Sequence, residues 1–292
     1  MGISLPLLME NLRRFWAIPV LAFLAYFFSA AFPILMSYSQ LNQLSDYIRS
    51  SLANQQPFYM AVHLMIPVIA AVSVFRYLQG SSSVAVFHAM PFSRAKLFHT
   101  NAVSGLILIL LPILANGLIL LLIAKPALIN YQSTILAERI DVFTRMAVLG
   151  WIWQSMVIVL FVYAISLFAG LVTGNSLMHF LSAIGFNFLM PGLYAVFTYY
   201  FTTYLFGFSS GEAWSRQLTS FTPYMKVFAG PLSWQITLVY LLVVAALYGI
   251  TLFLYHRRRL ERAGDPYVFH AMNLFMTYLI GFLGMSFLGV YF

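Results

Sequence analysis

The sequence predicts an all-α integral membrane protein, a polytopic helix bundle. Three observations predict it. Of its 292 residues, 62% are hydrophobic and only 8% are charged, with a mean hydropathy of +0.89. A soluble domain carries about 25% charged residues, because charge has to cover its wetted surface. The apolar residues fall into runs of at least about 20, the length that crosses a bilayer as a helix. The seven acids, Glu10, Asp46, Glu138, Asp141, Glu212, Glu261 and Asp265, all lie outside these runs or at their edges.

Taken in order, the runs are Phe15–Tyr38, Phe58–Leu78, Leu97–Ala124, Val142–Val172, Leu177–Phe206, Ser233–Tyr255 and Ala271–Phe292. The first is too long for the apolar core of a signal peptide. The fourth and fifth exceed what a bilayer needs and predict tilt or extension beyond it. Pro33, Pro67, Pro112 and Pro191 interrupt spans, which membrane bundles tolerate where neighbouring helices satisfy the freed backbone groups. Thr173–Asn175 reads as a tight turn. Two stretches fit neither span nor disorder. Residues 1–12 are apolar and suit a helix lying along the membrane surface. Residues 208–232 mix aromatics with Gly and Pro, and read equally as short helices dipping into the bilayer or as an ordinary loop. The sequence divides into a six-span domain, 1–269, and an additional span, 270–292, which also fits the start of a longer C-terminal region.

The formal net charge is +8. The basic residues flank apolar runs, which points to lipid headgroups and topology, not to nucleic acid. Arg13, Arg14, Arg76, Arg94, Lys96, Arg257, Arg258, Arg259 and Arg262 fall on one side. Arg49, Lys125, Arg139, Arg145, Arg216 and Lys226 fall on the other. The denser side predicts a cytoplasmic N-terminus. Arg13, Arg14, Arg94, Lys96, Arg257, Arg258, Arg259 and Arg262 are thus expected to be headgroup anchors. Trp16, Trp151, Trp153, Trp234 and Tyr199–Tyr200 mark interfaces or pack between helices. Glu138, Arg139, Asp141 and Arg145 read as a solvated cluster.

There is no cysteine, hence no disulfide framework and no thiolate metal site. No Gly-x-x-x-x-Gly-Lys-Ser/Thr loop is present to cradle ATP phosphates, and no His-Glu-x-x-His or Gly-x-Ser-x-Gly suggests hydrolysis. No catalytic, metal or cofactor residue is assigned, and the chain is not expected to be an enzyme. His63 and His179 are the titratable residues deepest in the spans, and Asn116, Gln154 and Asn187 the notable polar ones. All five are expected to pack or hydrogen-bond between helices. An uncharged midplane disfavours an ion-coupled carrier, which places ionisable groups there.

The stretch from Gln79 to Phe98 carries the most information. Gly80 can end the second span, and one of Ser81, Ser82 and Ser83 can cap a short helix running to Met90. Pro91 disfavours helical geometry at the preceding residue, and Ser93 can cap the third span. The short helix would present Val84, Phe87, His88 and Met90, followed by Pro91 and Phe92. Exposed apolar side chains of this kind form a docking surface or lie in the lipid interface. The run FHAMPFSRAKLF resembles the segment before the third span of ABC-2-type bacterial exporter permeases. Pro91, Ser93, Arg94, Lys96, Leu97 and Phe98 fit that pattern, while Met90 stands where Leu is commoner. The run from Tyr255 to Phe269, with its Glu261-Arg262-Ala263-Gly264, is similar to a feature of one bacterial branch of the same family, though a polybasic anchor on anionic lipid would explain its arginines equally.

The resemblance implies a permease subunit in a bacterial plasma membrane, paired with a second permease subunit as a homo- or heterodimer. It implies a separate cytoplasmic ABC ATPase, binding ATP and Mg, docked on Val84, Phe87, His88, Met90, Pro91 and Phe92. The family's common core has six spans, and a seventh departs from it. The alternatives are an ion-coupled secondary transporter or a non-transport membrane sensor or immunity protein.

Overall fold

The computed structural model describes residues 2–80, 83–84, 92–132, 137–208, 211–258 and 260–289. It is a bundle of long helices, seven of them long and apolar enough to cross a membrane among the described residues. The all-α prediction holds, with one small addition described below.

Helix α1 (Leu5–Arg14) begins with Pro at its first turn and ends on Arg13 and Arg14, where a cation suits the negative helix end. Its polar side is fastened to the third span: the Ser4 amide donates to Thr100 Oγ1 at 3.0 Å, and Asn11 Nδ2 donates to Asn101 Oδ1 at 2.8 Å. The first span is α2 (Ala17–Tyr26), a π turn (Phe27–Ala31) and α3 (Phe32–Met36). Pro33 has no N–H to give the Ser29 carbonyl one turn back. Tyr47 donates its hydroxyl to that carbonyl instead, at 2.5 Å. Tyr47 comes from α4 (Ser45–Leu52), a short helix that returns the chain to the second span, α5 (Pro57–Val74).

The third span is α6 (Arg94–Ile123), capped by Ser93 Oγ accepting from the Lys96 amide. A two-stranded antiparallel hairpin follows, β1 (Leu128–Gln132) with β2 (Ala137–Asp141). No periodicity in the sequence had suggested these strands. Asp141 organises the hairpin's base, its Oδ1 accepting from the Ala127 and Phe143 amides at 2.9 and 3.1 Å. Asp141 thus has a structural task beside its place in the charged cluster: its carboxylate caps two backbone N–H groups.

The fourth span, α7 (Arg145–Val172), is the centre of the bundle and packs against α5, α6, α8 and α11. Helix α8 (Ser176–Tyr204) starts from an Asn175 cap, whose Oδ1 accepts from the Met178 amide at 2.8 Å. The 208–232 stretch holds two short helices, α9 (Glu212–Ser220) and α10 (Pro223–Ala229). Tyr224 donates to the Asn187 carbonyl at 2.7 Å. Asn187 lies eleven residues into α8, about 16 Å along its axis at 1.5 Å per residue. The stretch is therefore helical and packed against the spans. Helix α11 (Trp234–Arg257) is capped by Ser233, and α12 (His270–Gly289) closes the chain with no buried residue.

Two ends of the bundle are thereby distinguished. The described members of the denser basic set, from Arg13 to Arg262, gather where α1, α5, α7 and α11 end and α6, α8 and α12 begin. The sparser set lies at the opposite end, with the hairpin, α4 and α9. We call the first the basic end.

Candidate functional site

At the basic end, one arginine is inside the protein. Arg258 is only 3% exposed. Its Nη1 donates to the carbonyls of Gly170, at 3.1 Å, and Leu171, and its Nη2 donates to the carbonyl of Leu78 at 2.8 Å. The first two carbonyls belong to the last turn of α7, and the third to the 3₁₀ turn Arg76–Leu78 that follows α5. Carbonyls at helix ends have no intrahelical partner, and the negative end of the dipole favours a cation. A planar guanidinium with five donors can serve several of them at once. Burial pushes its pKa down to about 10, which leaves it protonated at neutral pH. Arg258 is therefore not a headgroup anchor. It is a peg holding the ends of the second, fourth and sixth spans together.

Aromatic rings surround the peg. Tyr77 and Tyr255 pair through their hydroxyls at 3.2 Å. Phe98 is fully buried, with its ring centroid 5.5 Å from Phe75 and 5.4 Å from Tyr255. Gln79 Nε2 adds a second donor to the Gly170 carbonyl at 3.0 Å. A strap from 262 to 268 crosses the α7–α8 turn: Gly264 N donates to the Gly174 carbonyl at 2.7 Å, and Val268 N to the Val172 carbonyl at 2.9 Å. A side chain at Gly174 would run into the backbone of Arg262 and Asp265. Glycine is required there for close approach.

The other predicted anchors divide. Arg94 reaches the His256 carbonyl at 3.3 Å, and Arg262 the Val268 carbonyl at 3.2 Å. Arg257 lies over the Phe253 ring at 4.4 Å, Arg14 over Phe15 at 5.5 Å, and Lys96 over Phe92 at 5.3 Å. Arg13 is exposed. Arg259 lies outside the described residues, as do Phe87, His88, Met90 and Pro91 of the predicted docking helix. Val84 is 4% exposed, so it packs inward and is not carried on a free face. Phe92 is partly buried, beneath Lys96.

What the structure adds is the fastening at both ends of the 79–93 segment. On one side of it the carbonyl of Leu78 is held by Arg258, and on the other Arg94 holds the carbonyl of His256. Both fasteners run to the end of α11. Nothing local in the sequence singles out Arg258, one of three consecutive arginines. Only its neighbours in space set it apart.

Within the spans, a cavity of about 640 Å³ opens between α7, α8, α11 and α12. Its walls include Phe161, Phe168, Phe186, Tyr240 and Phe275, with Ser220 and Phe221 at the α9–α10 junction. No ionisable acid, lysine, arginine or histidine lines it among the described residues. His63 and His179 are both buried elsewhere. Each directs a ring nitrogen at a helix carbonyl, His63 Nδ1 at Tyr59 and His179 Nε2 at Ser166. A carbonyl only accepts, so those nitrogens carry the proton. Asn116 and Asn187 likewise donate to carbonyls of their own or neighbouring helices.

No group of three or more His, Cys, Asp or Glu residues able to hold a metal occurs among the described residues. No family model, no curated protein and no solved structure matches the chain. Its resemblance to ABC-2-type permeases rests on the residues quoted above, and what the structure establishes is a multi-pass helical membrane bundle.

Proposed function

We propose that this chain is the membrane-spanning subunit of an ATP-driven exporter of ABC-2 type, moving an amphipathic or lipid-like cargo. In this reading a separate cytoplasmic ATPase seats on the 79–93 segment, the basic end is cytoplasmic, and a second permease subunit completes the transporter. The membrane is the bacterial plasma membrane.

The observation that carries the reading is the double fastening of that segment. A load applied to the 79–93 segment is passed through Arg258 to the ends of α5, α7 and α11, and through Arg94 to the start of α6. Coupling of this kind needs rigid elements in direct contact, and hydrogen bonds from a buried charge are among the stiffest available. The cavity between α7, α8, α11 and α12 suits an apolar cargo, and its volume is within the range of ligand sites. No acid, lysine, arginine or histidine lines this cavity among the described residues, so it offers an ion-coupled carrier no charged site.

Photocrosslinking from position 88 tests the assignment. In cells, the adduct is expected to contain a subunit with a P-loop, and Phe87→Ala is expected to weaken it. Adducts with lipid alone, from a properly inserted chain, would remove the ATPase from the proposal.

A further inference from the structure

The basic end also holds a recess that the exporter reading does not use. It encloses about 240 Å³ between α1, α5 and α6, and is lined by Arg14, Arg76, Asn11, Asn101, Ser73 and Ser83 together with Phe15 and Tyr77. From its chemistry we infer that this recess binds a phosphate group.

The described basic residues of this end are mostly spent. Arg258, Arg94 and Arg262 serve backbone carbonyls, and Arg257 and Lys96 lie over rings. Arg76 is different: it is exposed, and its guanidinium has no hydrogen bond, ion pair or ring contact among the described residues. Among the described residues the Arg14 guanidinium has one contact, the Phe15 ring, and none of its donors is bonded there. The two arginines line one recess, and no Asp or Glu lines it among the described residues. Two cations held at one polar cavity without an acid repel each other, and an anion between them relieves that repulsion.

The neutral lining supplies donors as well. Ser73 and Ser83 both line the recess, and their hydroxyls have no hydrogen-bond partner among the described residues. Two forked guanidiniums and two hydroxyls match an oxyanion with several acceptor oxygens spread in space, and arginine pairs with such groups through parallel hydrogen bonds. The placement argues for phosphate in particular. Arg14 precedes the first span at Ala17, and Arg76 follows α5 at Val74, so both sit at span ends, the depth of lipid headgroups. Phosphate chemistry has two sources at that depth, the headgroup of an anionic lipid and soluble phosphate.

Purified full-length chain in nanodiscs separates them. In one arm, retention of phosphatidic acid over phosphatidylcholine is read by native mass spectrometry. In the other, inorganic phosphate is titrated calorimetrically into protein held in phosphatidylcholine alone. Arg76→Gln and Arg14→Gln should each weaken binding about tenfold, the value of one charge-assisted hydrogen bond, in whichever arm binds. Arg76→Lys should lose less, and Arg13→Gln, which removes the same charge outside the recess, should change nothing. Binding in the first arm alone identifies a lipid headgroup, and binding in the second identifies soluble phosphate. Binding in neither arm overturns the inference, and so does an Arg13→Gln effect equal to that of Arg76→Gln, which would mean diffuse charge and no site.

Discussion

Helices α7 and α12 are both apolar enough to span a bilayer, yet 78% of the most apolar stretch of α7 is buried and almost none of α12. One helix is largely enclosed by protein, with Met146, Leu149 and Trp153 near its start still exposed, while the other leans against the bundle and leaves most of its surface uncovered. Hydrophobicity does not separate them, because lipid tails and leucine side chains are equally apolar. The difference lies in small and polar residues. Where α7 meets its neighbours it carries Ser155, Ala164, Ser166, Ala169 and Gly170, all buried. Tyr163 of α7 donates to the Ala102 carbonyl of α6 at 3.0 Å and covers Gly105, where a Cβ would meet its ring. Glycines 281 and 284 of α12 have nothing within 4 Å of a Cβ position. Membrane helices recognise each other by close approach and shared polar contacts, and α12 offers little of either.

The contrast can be broken most severely at the peg. Arg258→Met should destabilise the protein by about 3–5 kcal/mol, since it strips charged donors from buried carbonyls on two helix ends. Thermal unfolding in micelles would register it, and a melting temperature within a degree of wild type would mean that the ends of α5 and α7 are held by packing alone. Next comes close approach. Gly105→Leu should cost about 1–3 kcal/mol by overpacking against Tyr163. Gly170→Ala should cost a similar amount, because its Cβ would enter the His179 ring. On the same helix, Gly150→Ala meets open space, and there the better helix propensity of alanine should leave stability unchanged or raise it by up to about 1 kcal/mol.

A smaller effect is expected at the ring pair. Tyr77→Phe removes one neutral hydrogen bond to Tyr255 and should cost about 1 kcal/mol. The smallest belongs to α12. Tyr278 is 70% exposed, and Tyr278→Ala should change stability by less than about 0.5 kcal/mol. Met272→Trp, on the cavity wall, should narrow the cavity with as little effect on folding, yet reduce export of an amphipathic dye from cells. Unchanged export would place the cargo path elsewhere, and a large loss of stability from Tyr278→Ala would show that α12 is held by contacts of its own.

How much of this could be read in advance varies with the kind of signal. Ser93 was legible as a cap because capping depends on the local chain alone, and so were the span ends beside Arg94 and Arg257. The short helices over 212–229 were legible as one of two alternatives, but their packing against the spans, through Tyr224 and Asn187, was not. The hairpin at 128–141 was not legible: its pairing joins residues across a turn and leaves no helical period to detect. The capping role of Asp141 was not legible, because its two backbone amide partners are brought to it only by the fold of the hairpin's base. Arg258 was misread for the same reason. In sequence it is the middle of three arginines, and nothing local distinguishes a headgroup anchor from a buried peg.

By itself, then, the sequence determined that the chain crosses a membrane as helices, how many spans there are, where they end, and which ends share a side. These follow from transfer of side chains between water and hydrocarbon, a property each stretch of chain has without reference to any other. The tertiary structure alone decided which helix is the centre, which is the rim, and which arginine is inside. Inside a bilayer the apolar effect no longer distinguishes neighbour from solvent, so those choices rest on shape and on hydrogen bonds between residues far apart in the chain, such as Arg258 with Leu78 and Gly170.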